Sequence, residues 1–100
     1  MDNINNPNPS YMDEFKQSVD LFERSLQAYQ ESKLDNQKLV FKDVMDRASH
    51  VMYETAPKCL SPSGQKQLDT MQKHYHDFIA HPDSQISKKL QNDINSLKNT

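Results

Sequence analysis

Glycine, cysteine and long apolar runs are almost missing from this chain of 100 residues. Its single glycine, Gly64, excludes a glycine-rich loop that cradles phosphate. Its single cysteine, Cys59, excludes a disulfide within the chain and indicates a reducing compartment. The longest apolar run, Leu39-Val40-Phe41, is far shorter than the roughly 20 residues that cross a bilayer. The polar start of the sequence also lacks the basic and apolar regions of a signal peptide, so we expect a cytoplasmic protein without membrane contact.

Apolar residues are scarce as well, at 34% of the chain against roughly 45–50% in a typical domain on a count that includes glycine. The core is therefore thin for a chain of this length. Two interpretations follow, a small helical monomer or a fold completed by a partner or by self-association. Charge is balanced, with 12 basic and 14 acidic residues, which does not favour a polyanion as partner.

Motifs of catalysis are also missing. The sequence contains neither the GxSxG motif of hydrolases nor the HExxH motif of zinc proteases. Adjacent acids such as Asp13 and Glu14 fall on polar helix faces, where solvated charge is the ordinary role. Cys59 lacks a histidine at a recognisable spacing and is interpreted as a bystander thiol. We therefore expect a protein that is not an enzyme and needs no cofactor.

What the chain does contain is helical periodicity in four segments. Asn and Pro dominate its start, which predicts a disordered tail over residues 1–9. Residues 10–100 are predicted to form a single helical domain. Ser10 and Asp35 are the expected caps of the first two helices, and Pro57 is expected to stop the second. The predicted helices lie at about residues 10–32, 35–56, 62–80 and 83–98.

The later helices carry clearer start signals. Ser61 followed by Pro62 is typical of a cap and a first helical position, and Asp83 or Ser84 can cap the last helix. No segment alternates with the two-residue period of a strand. Short connections favour antiparallel neighbours. The predicted fold class is all-α, either a small four-helix bundle or two stacked antiparallel helical hairpins.

The first helix carries a heptad seam whose spacings are 3, 4, 3, 4 and 3 residues. Lys33 and Asn36 occupy its next two positions, so the repeat is too short for a coiled coil. We expect it to form an intramolecular core with the apolar stripes of the next two helices. The seam residues are Met12, Phe15, Val19, Phe22, Leu26 and Tyr29.

Apolar residues off these stripes are candidates for a partner-binding surface. Leu21 and Ala28 share one side of the first helix, while Leu39 and Tyr53 project away from the core stripe of the second. If the seam is open, the expected anchors are instead Phe15, Phe22 and Tyr29. Single exposed apolar residues are normal, so an uncommitted surface is the alternative.

A polar face of the third helix carries His74, Asp77 and His81 at positions i, i+3 and i+7. Such spacing could begin a metal site, although a solvated face is the simpler interpretation and no metal is predicted. A nucleic-acid interface would require the lysines of the later helices to converge on one face; they are Lys66, Lys73, Lys88 and Lys89.

The sequence as a whole predicts a non-enzymatic protein-protein interaction module, a small adaptor, chaperone-like or regulatory helical protein. It would act by helix packing on another protein or on a second copy as a homodimer. The alternatives are a small nucleic-acid-binding regulator and a metal-binding helical module that uses the histidines of the third helix.

Overall fold

The computed structural model describes the backbone of residues 7–100 and the side chains of residues 10–100. Within those residues the chain is all-α, with four helices and no strand, which confirms the predicted fold class. Residues 1–6 of the predicted disordered tail lie outside the described residues. The helices are α1 (Pro7–Glu31), α2 (Asp35–Cys59), α3 (Pro62–Ala80) and α4 (Ser84–Lys98).

Packing divides the chain into two compact units, with the boundary between Cys59 and Leu60. The first unit is the α1–α2 hairpin and the second is the α3–α4 hairpin. Helical hairpins are the building block of both arrangements expected from the sequence. The single domain predicted for residues 10–100 stays a prediction. No described helix has the length and apolarity needed to cross a bilayer.

The start of α1 differs from the prediction, because the helix begins at Pro7 and not at residue 10. The first N–H groups of a helix have no partner within it, so a proline in the first turn loses no hydrogen bond. Pro7 and Pro9 are therefore compatible with helix, and Ser10 lies inside α1 instead of capping it.

The connection between α1 and α2 is closed by backbone and hydroxyl contacts. The N–H and the hydroxyl of Ser32 both donate to the carbonyl oxygen of Ala28, at 2.9 and 2.7 Å. The carbonyl oxygen of Leu34 accepts from the N–H of Lys38 at 3.1 Å. Leu34 therefore precedes the helix, and Asp35, which was expected to cap it, is its first residue. There its carboxylate suits the positive end of the helix dipole.

Lysines of α2 fasten the two ends of this hairpin. Near the connection, the Nζ of Lys38 lies 4.7 Å from the ring centroid of Tyr29 and donates to its carbonyl oxygen at 2.8 Å. At the far end, the Nζ of Lys58 lies 4.6 Å from the ring centroid of Tyr11. The start of each helix thus meets the end of the other, as an antiparallel pair requires. A cation–π contact at an exposed site contributes about 0.5–1 kcal/mol.

Helix α2 continues through Pro57 to Cys59, so the predicted end at residue 56 is wrong. Proline removes one N–H donor from the helix. In the last turn that loss concerns a single bond, and only two residues follow. Thr55 and Ala56 are buried immediately before it, and the Thr55 hydroxyl donates to the Val51 carbonyl oxygen at 2.9 Å. Burial of this turn offsets the missing bond and holds the helix together.

The second hairpin begins with the predicted cap. The Ser61 hydroxyl accepts from the N–H of Gly64 at 3.2 Å, and Pro62 takes the first helical position. A side chain at Gly64 would crowd the hairpin end, because a Cβ there would lie 3.2 Å from the Leu60 Cβ and 3.4 Å from the Thr100 Cγ2. Helix α4 is capped by Asp83.

Each of the two hairpins has its own set of buried apolar side chains. Of the α1 seam, the four central residues are buried, while Met12 and Tyr29 at its ends are half-buried. In the α1–α2 hairpin the buried apolar residues are Phe15, Val19, Phe22, Leu26, Met45, Ala48, Met52 and Ala56. Among residues 60–100 they are Leu60, Leu68, Met71, Tyr75, Phe78, Leu90, Ile94 and Leu97.

Candidate functional site

Large apolar side chains remain exposed in only one half of the described chain. Five of them keep 40–66% of their surface accessible, and each belongs to α1, to α2 or to the connection between these helices. They are Leu21, Leu34, Leu39, Val40 and Tyr53. The α3–α4 hairpin has no such residue among residues 60–100. The exposed apolar surface is therefore concentrated on the first hairpin.

One cleft, here the turn cleft, lies beside the α1–α2 connection. Its volume is about 560 Å³. The end of α1 contributes Ala28 and Glu31, and α2 contributes Val40 and Phe41. Lys33 of the connection also lines it. The half-buried Ala28 of the predicted partner surface is thus a wall of this cleft.

A second cleft, here the middle cleft, lies farther along the same two helices. Its volume is about 360 Å³. Glu14, Gln17, Ser18 and Leu21 line it from α1, and Val51 lines it from α2. The exposed Leu21 of the predicted partner surface therefore borders a shallow, open cleft.

The two clefts open on the same side of the hairpin. Leu21 and Ala28 are seven residues apart, which is about two turns, and Val40 and Val51 are eleven apart, which is about three. Each pair therefore shares one side of its helix. We call this surface, formed by the turn cleft and the middle cleft, the groove.

The other two predicted partner residues do not line the groove. Leu39 and Tyr53 are exposed on α2, fourteen residues apart and hence on one side of the helix. Leu39 is displaced by about 100° around the helix axis from its neighbour Val40. The four residues predicted as one surface thus fall on two: Leu21 and Ala28 in the groove, and Leu39 and Tyr53 on another side of α2.

Charges near the groove are unevenly paired. Arg24 contacts the Asp20 carboxylate, and the Arg47 Nε lies 3.1 Å from the Asp43 carboxylate, each pair one turn apart on its helix. By contrast, among residues 10–100 the carboxylate of Glu14 shows no ion-pair partner. The same holds for Glu31 of the turn cleft. The hairpin's arginines are thus neutralised locally, whereas these two acids stay available.

The second hairpin contains a different polar feature, a hydrogen-bonded bridge between its helices. Nδ1 of His74 pairs with Oδ2 of Asp93, and Nε2 of Gln67 donates to Oδ1 of the same carboxylate at 3.2 Å. Asp93 is buried, with 11% of its side chain accessible, and His74 keeps 26%. The bridge satisfies a buried carboxylate from two sides, and the sequence did not predict this role of Asp93.

The residues proposed for metal binding do not form a ligand cluster. His74 is paired with the carboxylate of Asp93, while Asp77 and His81 are exposed. His81 follows the last residue of α3 as its C-cap, where its N–H donates to the Asp77 carbonyl oxygen at 2.9 Å. Across residues 10–100, no three histidine, cysteine, aspartate or glutamate side chains are grouped to hold a metal ion.

Cys59 is a free, half-buried thiol at the end of α2. Its Sγ lies 3.3 Å from the carbonyl oxygen of Thr55. Burial raises the pKa of the Cys59 thiol, because the charged thiolate would be poorly solvated. A catalytic cysteine needs the opposite shift.

The lysines of the nucleic-acid alternative are all exposed, two on α3 and two on α4; they are Lys66, Lys73, Lys88 and Lys89. Comparison of the chain with family models, with curated proteins and with solved structures finds no match.

Proposed function

We propose that this protein is a non-enzymatic protein-protein interaction module, an adaptor, chaperone-like or regulatory helical protein, that binds through its α1–α2 hairpin. The observation that carries the proposal is the restriction of exposed large apolar side chains to that hairpin. Single exposed apolar residues are ordinary, but five within one half of the described chain concentrate apolar surface on this hairpin, and those beside the groove, Leu21 and Val40, can be covered by a partner.

Affinity at such a surface would come from a few apolar anchors. Leu21 lines the middle cleft and Val40 lines the turn cleft, so each would contact an apolar side chain of the partner that enters the cleft. Anchors that fill pockets dominate binding energy, and truncating one typically costs more than 1 kcal/mol. Packing of a helix along the hairpin is the expected mode, because both clefts run along two antiparallel helices.

The proposal places the protein in the cytoplasm, where its single cysteine needs no disulfide partner. The partner is either another protein or a second copy of this chain. Either one would cover the same hairpin, so the location of the contact can be tested before the partner is known.

Photo-crosslinking in cells tests the location. A photoreactive residue replaces Leu21 or Val40 on the hairpin, and matched control positions are the exposed Lys73 of α3 and Lys88 of α4. We expect discrete crosslinked species from hairpin positions and none of comparable yield from the controls. Crosslinks from both sets alike, or from neither, would refute binding through the hairpin. The mass of each species separates a second copy from a different protein.

A further inference from the structure

We infer that the groove binds an amphipathic helix of another protein, with two apolar anchors seven residues apart and basic residues near its ends. This inference rests on the proposed function and names the chemistry of the partner for that same hairpin. Three features of the groove support it: the spacing of its clefts, the positions of its acidic side chains, and the net charge of the hairpin.

The spacing of the clefts matches one helical heptad. Leu21 and Ala28 stand in different clefts and lie about 10.5 Å apart along α1. On a helix lying along α1, residues i and i+7 are separated by the same distance and point to the same side. Such a helix places one apolar side chain in each cleft, whereas anchors five residues apart would point to opposite sides.

The acidic side chains mark the two ends of the site. Glu14 lines the middle cleft and Glu31 lines the turn cleft, seventeen residues apart and hence about 25 Å along α1. A partner helix of about 18 residues spans that length. Basic side chains near both of its ends can reach Glu14 and Glu31, whose carboxylates are without ion pairs among residues 10–100.

The charge balance favours a basic partner over a second copy. Lys33 also lines the turn cleft, so the charged lining of the two clefts has an excess of one negative charge. Residues 7–59 contain nine acidic and seven basic residues, so the whole hairpin has a negative excess too. A second copy carries the same negative excess, so a basic helix complements the charge of this surface better than a symmetric dimer does.

Binding of designed peptides to the full chain tests the inference. The probe is an 18-residue labelled helical peptide with leucines seven residues apart and lysines near both ends. One control peptide replaces the lysines with glutamates, and another keeps the lysines but spaces the leucines five apart. Fluorescence anisotropy should show the lysine probe binding at least tenfold more tightly than either control peptide.

Variants of the protein locate the contact. Leu21→Gln and Val40→Gln should each weaken binding of the lysine probe by roughly tenfold, because each removes an apolar contact with the probe. Glutamine and leucine have similar helix propensities, so Leu21→Gln should not disturb α1. Glu14→Gln should weaken it roughly two- to fivefold, as expected for an exposed charge pair. The matched controls, Leu39→Gln outside the groove and Asp77→Asn on α3, should leave the affinity unchanged.

Each other outcome overturns the inference. Equal binding of the lysine and glutamate peptides removes the charge argument, and equal loss in Leu39→Gln and Leu21→Gln removes the groove. If the probe does not bind, the surface serves a partner of different chemistry. If light scattering shows a doubled mass that Leu21→Gln abolishes, the surface binds a second copy of the chain. If hairpin crosslinks persist in those cases, the proposed function stands and only the partner's chemistry is wrong.

Discussion

Adjacent residues of α1, Leu21 and Phe22, should respond oppositely to truncation. Phe22 has no accessible surface, and its replacement by alanine deletes an aromatic ring from the core. Truncating a buried phenylalanine costs the transfer free energy of the ring and leaves a cavity, together about 3–5 kcal/mol. Because small domains are stable by only about 5–15 kcal/mol, Phe22→Ala should remove a large fraction of the free energy of unfolding, from about a fifth of it to all of it.

Leu21 is 44% exposed, although it is only one position away. Leu21→Ala removes methyl groups that are partly in water already, and alanine is the better helix former. The free energy of unfolding should therefore change by less than about 1 kcal/mol. The same change should weaken binding of the lysine probe, since Leu21 stands in the middle cleft.

Urea unfolding followed by circular dichroism measures both variants against the parent chain. The urea midpoint should fall sharply for Phe22→Ala and barely move for Leu21→Ala. The m-value, the slope of the free energy of unfolding against urea concentration, should stay unchanged in both. Comparable losses of stability in the two variants would refute the assignment of a core side and a binding side to α1. Unchanged probe binding by Leu21→Ala would refute the binding side alone.

Three other features give shorter predictions. Asp93→Ala should lower the free energy of unfolding by about 1–3 kcal/mol, because the side chains of His74 and Gln67 lose their acceptor. An unchanged urea midpoint would contradict the bridge. Cys59 should react with iodoacetamide more slowly than in the urea-unfolded chain at pH 8. The pH at which its rate reaches half-maximum should be higher in the folded than in the urea-unfolded chain, because burial raises the pKa of the thiol, and equal midpoints would contradict this. Lys38→Met should cost about 0.5–1.5 kcal/mol in the same urea assay, and a stabilised variant would contradict its fastening role.

Helix number and type were predictable because local signals agree with the tertiary packing. The 3-4 spacing of the α1 seam and the start signal at Ser61 and Pro62 need no information from distant residues. The end of α2 was not predictable in this way. Whether a helix continues through Pro57 depends on the burial of Thr55 and Ala56, which is a property of the folded chain.

The candidate site was predictable only in part. The direction of Leu21 away from the seam follows from helix geometry within α1. Which side of α2 joins it depends on how the two helices are rotated about each other, and the sequence does not record that angle. Val40 was therefore missed while Leu39 was chosen. A signal was present: Val40, Val44 and Val51 lie at i, i+4 and i+11, a second apolar stripe beside the core stripe.

The serines of α1 help to explain how a chain with only 34% apolar residues packs its helices. Ser18, Ser25 and Ser32 recur every seven residues, and the first two are buried. The hydroxyls of Ser18 and Ser32 donate to carbonyl oxygens four residues earlier, at 2.9 and 2.7 Å, so their polar groups are satisfied within the helix. Ser18 lines the middle cleft with Val51 of α2, so small residues stand where the two helices meet. A fraction of apolar residues therefore underestimates how much of α1 can be packed, because a serine bonded to its own helix occupies a helix-packing position without leaving an unsatisfied group.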